Sequence, residues 1–291
     1  MMPELPEVEH LRRHLHSGIQ GATVTRVQLN RSDVVNPRGP GVKLRQSLEH
    51  QLLLGATITS LERHGKQLAI QAADGRVLCI HLGMSGRIRL VEPGDDHEPI
   101  EPHTHCTWSL GESRGAVEMR FVDPRRFGGL WPLDSRERLL ATRWSKLGPD
   151  ALTLEVANLA EQLAGRSRGL KAALLDQGII SGLGNIYVDE ALFRAKLHPK
   201  QPAGTVKALE IQRLRDAVVG ILGRAIEMGG STVRTWVDSL GQEGSFTRTH
   251  QVYGRGGCVC MECGQLLLAE IIAQRQTVWC SQCQPLRLRK R

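Results

Sequence analysis

Two pairs of cysteines near the C-terminus constrain the fold of this chain more than any other feature. Cys260 and Cys263 form one CxxC turn, Cys280 and Cys283 form another, and sixteen residues separate the pairs. Each turn offers two sulfurs to one tetrahedral ion, which is typical of a zinc ribbon with four thiolate ligands. Redox dithiols or disulfides are the alternative, which a reducing cytoplasm disfavours. We therefore predict one structural Zn²⁺ and no organic cofactor.

The other three cysteines are not needed as ligands. Cys258 lies two residues before the first pair and is a spare thiol. Cys79 and Cys106 fall within apolar strand patterns and are predicted to be small core residues. His103 and His105 stand beside Cys106 and allow a second metal site, but the alternation around Cys106 favours an ordinary strand.

A short amphipathic helix is predicted almost at the N-terminus. Apolar side chains recur at helical spacing behind Pro6, whose fixed φ suits a first helical turn. Acidic residues in that turn suit the helix dipole, and the same end of the helix favours anionic groups such as phosphate. The apolar positions are Val8, Leu11, Leu15 and Ile19, and the acids are Glu7 and Glu9.

Pro3 and Glu4 directly precede that helix and form a candidate catalytic pair. A free N-terminal proline is a secondary amine, which attacks a carbonyl-like carbon and forms an iminium ion. This chemistry requires that Met1 and Met2 both be absent. Taken on their own, these residues favour the alternative that Pro3 is a stiff, extended lead-in to the helix.

From about residue 22 to residue 133 the hydrophobic period changes to two. Residues 106–110 and 117–121 alternate apolar with polar side chains, and residues 77–82 are apolar on both faces. The simplest packing is two sheets around one core, a β-sandwich. The acid- and proline-rich stretch 92–102 is predicted to be a surface loop.

Helical periodicity dominates from residue 152 to about residue 228. The pattern predicts helices over 170–177 and 185–195, joined by residues 178–184 with three glycines. Backbone amides and Asn185 at the start of the second helix form a phosphate clamp, although a plain helical hairpin fits as well. Residues 229–249 are polar and glycine-rich, which predicts a mobile loop.

These patterns predict an α+β multidomain protein. Its net charge of +8 favours an anionic polymer as partner. No run approaches the roughly 18 apolar residues of a membrane span, and no signal peptide is recognisable, so we expect the cytoplasm. The predicted segments are an N-terminal helix with a β-sandwich at 3–134, a linker at 135–150, a helical domain with a double turn and a loop at 151–248, a zinc finger at 249–286 and a basic tail at 287–291.

Five short strings occur along the chain ahead of the ribbon. They are PELPEVE at 3–9, HGK at 64–66, HLGMSG at 81–86, DPRRFG at 123–128 and GLGNIY at 182–187. In this order, and over nearly the whole chain, they resemble the bacterial formamidopyrimidine-DNA glycosylase family. The resemblance implies a helix-two-turn-helix domain and a monomeric base-excision repair enzyme. It implies both glycosylase and AP lyase activity on oxidised purines, 8-oxoguanine and formamidopyrimidines, in duplex DNA.

The resemblance assigns four catalytic residues. Pro3 is the nucleophile at the anomeric carbon of the deoxyribose, and its iminium has no removable nitrogen proton, so it remains an electron sink. Glu4 protonates the opening sugar and moves protons in the later steps. Lys66 donates a proton in β-elimination. Arg275, at the tip of the ribbon hairpin, contacts phosphate and assists δ-elimination, so the zinc is structural.

The resemblance also implies how the duplex is opened and held. Extrusion of the base leaves a gap, into which Met84 and Phe127 insert as an apolar wedge while Arg125 hydrogen-bonds the widowed partner base. Lesion recognition is assigned to the loop from residue 229 to residue 253. Contacts to the DNA backbone, which position without reading sequence, are implied for His81, His103, Arg126, Arg166, Lys171 and Asn185.

The chain departs from the family pattern at three places. His64 stands where the family often has arginine, and Cys258 crowds the ribbon. Met1 precedes Met2, whereas removal of an initiator methionine requires a small second residue, so we expect translation to begin at Met2.

Two alternative functions stay open. One is the endonuclease VIII branch, which prefers oxidised pyrimidines and usually reads PEGPE rather than PELPE. The other is a noncatalytic binder of damaged DNA in which Pro3 is blocked.

Overall fold

A computed structural model describes residues 2–36, 47–92, 99–111, 117–232 and 237–287. Met1 and residues 288–291 of the predicted tail lie outside the described residues, as do parts of the predicted loops at 93–98 and 233–236. The chain forms two compact units. The first comprises Met1–Lys146 with Gly229–Ser245, and the second comprises Leu147–Met228 with Phe246–Arg291. The predicted linker at 135–150 therefore contains the point where the chain passes from the first unit to the second.

The first unit begins with a helix and continues mainly as strands. Within the predicted linker the chain forms the short helix α3 and a π-helical turn at Leu140–Trp144 rather than an irregular segment. The elements are α1 (Leu5–Ile19), β1 (Thr23–Leu29), α2 (Leu48–Gln51), β2 (Ile58–His64), β3 (Gln67–Ala72), β4 (Val77–His81), β5 (Arg87–Val91), β6 (Thr104–Gly111), β7 (Glu118–Val122), β8 (Gly129–Leu133) and α3 (Arg136–Leu139).

The strands of the first unit form a sandwich, as predicted. Two antiparallel four-stranded sheets have the orders β1-β6-β7-β5 and β2-β3-β4-β8. One buried apolar cluster takes side chains from both sheets and from α1, among them Leu11, Leu61, Trp108 and Phe121. Cys79 and Cys106 are fully buried in the strands, which confirms their prediction as core residues.

The second unit is helical up to residue 227 and ends in a two-stranded antiparallel sheet of β9 and β10. Its second apolar cluster joins Phe193 to Val252, Leu267 and Val278 of the C-terminal part. No helix among the described residues is long and apolar enough to cross a bilayer. The elements are α4 (Val156–Leu163), α5 (Leu170–Leu174), α6 (Asn185–Arg194), α7 (Ala208–Glu227), β9 (Leu268–Ile272) and β10 (Arg275–Trp279).

The double turn between α5 and α6 is built by side chains of the turn itself. α5 ends at Leu174, three residues earlier than predicted, because Asp176 and Gln177 bond to the loop instead of extending the helix. Asp176 Oδ1 accepts the Gly178 N–H at 3.0 Å. The Gln177 side chain accepts the Gly182 N–H at 2.9 Å and donates to the Leu183 carbonyl at 2.8 Å. These bonds set the start of α6 at Asn185.

Candidate functional site

The start of α1 places Pro3 and Glu4 in buried positions. Glu4 is the residue before the helix and is 2% exposed. Glu7, in the first turn, accepts the Glu4 backbone N–H through Oε2 at 2.8 Å. Its other oxygen, Oε1, accepts the Ser231 N–H at 2.8 Å. Glu7 therefore fixes the backbone of Glu4 and ties the segment 229–245 to α1.

Lys66 lies in the tight turn between β2 and β3, and a buried network holds that turn against α1. Arg63 donates to the Gly65 carbonyl at 2.8 Å and to Glu9 Oε2 at 3.0 Å. Arg12 binds the same carboxylate from within the helix at 2.8 Å. Burial opposes the ionisation of Glu9, but hydrogen bonds and charges from neighbouring arginines outweigh it and lower the pKa of Glu9 to about 2. The structure thereby anchors Lys66 to the helix that begins after Glu4.

His81 lies at the end of β4, opposite Gln67 in the register and so next to the Lys66 turn. Burial, together with the positive charges of Lys66 and Arg143, lowers the pKa of His81 to about 4. The imidazole is therefore neutral at physiological pH. It can donate or accept a hydrogen bond there but brings no positive charge.

The structure brings the three predicted wedge residues together on two neighbouring loops, 82–86 and 123–128. Gly83 has a φ of 60°, and a Cβ on it would lie 2.2 Å from the Phe127 backbone, so the loops touch where only glycine fits. Met84 and Phe127 are 37% and 53% exposed, which is high for large apolar side chains. The Arg125 guanidinium lies 4.7 Å from the centre of the Phe127 ring.

Asp123 organises the second of these loops. It is fully buried, and its carboxylate accepts the Ser85 hydroxyl at 2.5 Å and the Gly128 N–H at 2.7 Å. Its backbone N–H donates to the carbonyl of His103, an exposed residue with a φ of 68°. Arg126, also exposed and in the left-handed region, bonds Asp33 at 2.8 Å. His103 is therefore bonded to the loop 123–128, and Arg126 belongs to that loop.

In the second unit, the β10 strand that starts at Arg275 is bonded to α5 and α6. The Gln276 carbonyl accepts the Asn185 side-chain amide at 2.8 Å and the Lys171 amino group at 3.3 Å. The other side-chain atom of Asn185, Oδ1, is buried without a hydrogen-bond partner in the described part of the chain. Arg275 itself is exposed, and the bonds to the carbonyl of the next residue, Gln276, fix the start of its strand.

Lys171 differs from what its predicted contact with the DNA backbone requires. Its side chain is fully buried, and its amino group lies 2.6 Å from Asp189 Oδ1. Asp189 Oδ2 in turn accepts the Val278 N–H at 3.1 Å. Burial raises the pKa of Asp189 to about 6, although the charge and the hydrogen bond of Lys171 act to lower it. This arrangement favours a positioning role for Lys171, which joins α5 and α6 to β10.

Arg166 stands apart from the other predicted contact residues of this unit. It follows α4, is half-buried, and its Nε donates to the Gln162 carbonyl. Its backbone carbonyl accepts the Gly204 N–H at 2.8 Å. The structure therefore fixes its backbone but places it in no shared network with Asn185 or Arg275 among the described residues.

The hairpin that carries Arg275 turns through two residues that are not glycine. Ala273 and Gln274 connect Ile272 to Arg275, which are register partners, and have φ values of 51° and 58°. Two-residue turns of this type strongly prefer glycine or asparagine. Each left-handed residue stores strain of about 1 kcal/mol. Strained turns cluster at functional sites, where the surrounding structure holds them in place.

The four predicted ligand cysteines form one cluster. Their sulfurs lie within 4.8 Å of one another, with Cys263 and Cys280 at 3.4 Å and Cys260 and Cys283 at 4.0 Å. A tetrahedral ion with metal–sulfur bonds near 2.3 Å holds its sulfurs about 3.8 Å apart. The donor set and its spacing fit a metal ion. The exposed Cys258 is not part of the cluster.

Three buried carboxylates organise these sites, and sequence reasoning assigned this role to none of them. Glu7 has a local signal, since an acid three residues after a helix-capping residue is part of a capping box. Asp123 has another, because aspartate before proline initiates turns. Asp189 has none, since its partners Lys171 and Val278 lie 18 and 89 residues away.

Comparison with known proteins places the chain in one family. A model of the formamidopyrimidine-DNA glycosylase N-terminal domain matches residues 2–130, and a model of the H2TH domain of the same family matches residues 147–237. The formamidopyrimidine-DNA glycosylase of Stenotrophomonas maltophilia is 42% identical over 287 residues, which cover 97% of this chain and 100% of the relative.

Solved structures agree. The MutM (Fpg) protein of Thermus thermophilus superposes with a TM-score of 0.83 at 34% identity, over 98% of this chain and 100% of that protein. A mutant Lactococcus lactis Fpg in complex with Fapy-dG-containing DNA gives 0.84 at 32% identity, over 97% and 100%. The wild-type Lactococcus protein, with oxidised-pyrimidine-containing DNA, gives 0.83 at 32% identity over the same shares. Two domain models in consecutive order and relatives aligned end to end leave one assignment: the chain belongs to the formamidopyrimidine-DNA glycosylase family.

Proposed function

We propose that this protein is a bifunctional DNA glycosylase and AP lyase that removes oxidised purines, 8-oxoguanine and formamidopyrimidines, from duplex DNA in base excision repair. The observation that carries the proposal is the buried Pro3-Glu4 pair at the start of α1, in a chain that matches its family over both domains. The net charge of +8 suits a DNA partner. We place the enzyme in the bacterial cytoplasm as a monomer.

Pro3 is the proposed nucleophile, and its nitrogen is an amide as long as Met2 precedes it. Once both methionines are removed, it is a secondary amine with a pKa near 8, of which roughly a tenth is neutral at pH 7. Its lone pair attacks the sugar carbon C1′ and the bond from C1′ to the base breaks, so the base leaves and takes up a proton. Opening of the sugar ring then gives an iminium ion, C1′=N⁺.

Glu4 and Lys66 are the proposed proton carriers. Glu4 protonates the ring oxygen as the sugar opens, and adjacency to Pro3 puts its carboxyl within reach of that atom. In β-elimination the Glu4 carboxylate, having given up its proton, takes the C2′ proton, and the iminium accepts the electron pair of that bond. The pair then returns to form the C2′=C3′ bond as the C3′–O bond breaks, and Lys66 donates a proton to the phosphate that leaves. Glu7 and Glu9 are positioning residues, since they hold the backbone of Glu4 and the Lys66 turn.

Arg275 is proposed to bind the phosphate that leaves in δ-elimination. The cysteine cluster holds zinc, which folds the ribbon and supplies no chemistry to the reacting sugar. Asn185 and Lys171 support Arg275 through the Gln276 carbonyl. The fully buried Lys171 then acts by positioning β10 instead of touching DNA.

Met84, Arg125 and Phe127 are proposed as the wedge that fills the gap left by the extruded nucleotide. The two apolar side chains are exposed in the free protein, as an insertion role requires. Arg126 must exchange its ion pair with Asp33 for a phosphate, whereas neutral His81 contributes a hydrogen bond only. His103, Arg166 and Asn185 complete the backbone contacts, and the segment 229–253 reads the lesion.

Oxidised pyrimidines are the second candidate substrate class. The observation that favours them is the solved complex of the wild-type Lactococcus lactis Fpg with oxidised-pyrimidine-containing DNA, at 32% identity to this chain. We expect such lesions to be processed less well than oxidised purines. A preference for oxidised thymine would assign the chain to the endonuclease VIII branch of activity.

Borohydride trapping tests the proposal. Reduction of the iminium links the protein covalently to a duplex that contains 8-oxoguanine, and Pro3→Gly should lose most of this product while still binding DNA. Pro6→Ala, in the first turn of α1, is the matched control and should trap normally. Intact-mass analysis of the trapped species should show neither Met1 nor Met2. Unchanged trapping by Pro3→Gly would refute Pro3 as nucleophile, and binding without trapping in the wild type would make the protein a noncatalytic binder.

A further inference from the structure

A second cluster of metal-ligand side chains lies on α1, away from the cysteines. His10 and His14 are four residues apart and so project from the same face of the helix. Their ring centres are 4.2 Å apart. Asp238, from the segment that returns to the first unit, points one carboxylate oxygen at both rings. Its Oδ2 lies 3.5 Å from His10 Nε2 and 3.5 Å from His14 Nδ1.

These distances do not describe a hydrogen-bonded ion pair. A nitrogen-to-oxygen hydrogen bond is 2.7–3.2 Å long, and both contacts exceed that range. In a tetrahedral metal site with bonds near 2.1 Å, neighbouring ligand atoms stand about 3.4 Å apart. His14 Nδ1 is buried and has no hydrogen-bond partner in the part of the chain that the structure describes. Both nitrogens therefore stand from Asp238 Oδ2 at the separation of ligands on one ion, and the three ligand atoms all lie within 4.8 Å of one another.

The environment of the cluster also suits a cation. Asp238 is 4% exposed, and its Oδ1 already accepts the Leu240 and Gln242 N–H groups at 2.9 Å each, which aims Oδ2 at the imidazoles. His14 is 34% exposed, which leaves an open side for a water molecule as a fourth ligand.

We propose that His10, His14 and Asp238 form a binding site for a divalent transition-metal ion, with Zn²⁺ as the ion that their donor set fits best. Two imidazoles from adjacent helix turns and one carboxylate supply three ligands and leave one position open. The site is separate from the four-cysteine cluster and does not depend on the proposed reaction at Pro3.

Metal binding here has a structural consequence. The segment 229–245 is tied to α1 at Glu7 through the Ser231 N–H. A metal at Asp238 adds a second tie to the same helix face, one and two turns further along. Residues 237–245 are also bonded to β5, where the Leu90 N–H donates to the Ser239 carbonyl at 2.9 Å. The ion would add an attachment on the α1 side and so control how firmly these residues are held on that helix.

Metal stoichiometry tests the site on the full-length protein. In a Cys258→Ser background, which removes the exposed thiol, Co²⁺ titration should fill two sites per chain, one with sulfur-to-cobalt charge-transfer absorption and one without it. His10→Gln/His14→Gln should lose only the second signal. Loss of an outer-shell partner already weakens metal binding about 10–100-fold, so loss of two ligands should weaken it by more than about 100-fold. His16→Gln, on the same helix but outside the cluster, is the matched control.

Hydrogen exchange provides an independent readout. Zn²⁺ should slow amide exchange of residues 237–245 in the wild type and in His16→Gln. Asp238→Asn keeps the oxygen that accepts the Leu240 and Gln242 amides, so it should fold but lose the effect of Zn²⁺. One cobalt site per chain in the wild type, or exchange in 237–245 that Zn²⁺ does not alter, would overturn the proposal.

Discussion

The start of α1 and the β9–β10 hairpin each present residues of the proposed reaction, yet different chemistry holds them in place. At α1, Glu7 binds two backbone amides, and Glu9 is paired with arginines of its own helix and of β2. At the hairpin, the fully buried Lys171–Asp189 pair bonds the Val278 N–H, and Val278 packs with Cys260 and Cys280 of the four-cysteine cluster. Carboxylates hold the first region through hydrogen bonds and ion pairs, and the second has four thiols in the arrangement of a metal site.

The two regions therefore fail in different ways. A carboxylate with several partners keeps its charge down to low pH, and each partner alone contributes modestly. In a buried charge pair, each group neutralises the other. When one group is removed, the remaining charge stays buried and its desolvation penalty is no longer offset. Four cysteines without a metal lose the shared ion that cross-links them. We therefore expect the hairpin to be lost as a whole and the start of α1 to weaken gradually.

Removal of a ribbon ligand should have the largest effect. Structural zinc contributes about 10–16 kcal/mol of binding free energy, which in small ribbons is folding free energy. Cys280→Ser should therefore unfold the segment around residues 260–283 while leaving the β-sandwich intact. Limited proteolysis and mass spectrometry measure this as early cleavage in the C-terminal part only. Cys258→Ser, outside the cluster, should cleave like the wild type. A protected ribbon in Cys280→Ser would show that packing, without the metal, suffices.

Breaking the buried pair should have the next largest effect. Asp189→Asn leaves the Lys171 ammonium buried without its countercharge, which costs about 3–5 kcal/mol. Lys171→Met combined with Asp189→Leu should recover most of that loss, since two apolar groups bury well. Denaturant unfolding measures both. Asp216→Asn, an exposed position on α7, is the control and should change stability by less than about 0.5 kcal/mol. No recovery in the double variant would mean that the bond to Val278, and not the charge pair, stabilises this region.

The carboxylate network on α1 should give a smaller and pH-dependent effect. Glu9→Gln removes one buried charge with a buried partner, Arg63, and two partly exposed partners, Arg12 and Arg13, so we expect a loss of about 2 kcal/mol at neutral pH. The folded pKa of Glu9 is about 2, below its ordinary value of 4.5. Its contribution is therefore complete above pH 4.5 and is lost as the pH falls toward 2.

Unfolding of the wild type and of Glu9→Gln across this pH range measures that contribution. The two stability curves should converge as the pH falls through the window. Glu62→Gln, at the exposed pair with Arg136, is the control and should change little at any pH. Curves that stay parallel down to pH 2 would mean that Glu9 stabilises α1 through packing instead of charge.

Sequence patterns predicted the layers and the cysteine cluster because those depend on local spacing. Alternation marked the strands that carry Cys106 and Phe121, helical spacing marked α1, and two CxxC turns placed four sulfurs together. The acids Glu7 and Glu9 were placed in the first turn of α1 by the same local pattern, although their hydrogen bonds were not predicted.

Contacts between distant segments could not be predicted in this way. The bond from Ser231 to Glu7 joins residues 224 apart, and Asp238 meets His10 across a similar distance. Lys171 sits between leucine and alanine in a short helix, and nothing local tells whether another element covers it. Its complete burial depends on β10, whose Gln276 follows it by 105 residues.

The smallest expected effect concerns how each region makes its tight turn. The Lys66 turn uses Gly65 at a φ of 56°, where glycine is unstrained, whereas the hairpin turn uses Ala273 and Gln274 at similar angles. Gln274→Gly should therefore stabilise the hairpin by up to about 1 kcal/mol, and Gly65→Ala should destabilise its turn by a similar amount. Amide exchange in β9 and β10, and in β2 and β3, measures the two changes.

Gln282→Gly separates relief of strain from a general effect of glycine. Gln282 is exposed in the same ribbon but does not have a positive φ, so glycine there should destabilise by about 0.5–1 kcal/mol. Opposite signs at residues 274 and 282 would establish that the hairpin turn stores strain. If Gln274→Gly also slows δ-elimination without weakening DNA binding, the strain holds Arg275 in its reactive position. If elimination is unchanged, the cysteine cluster and the Lys171–Asp189 pair position Arg275 by themselves.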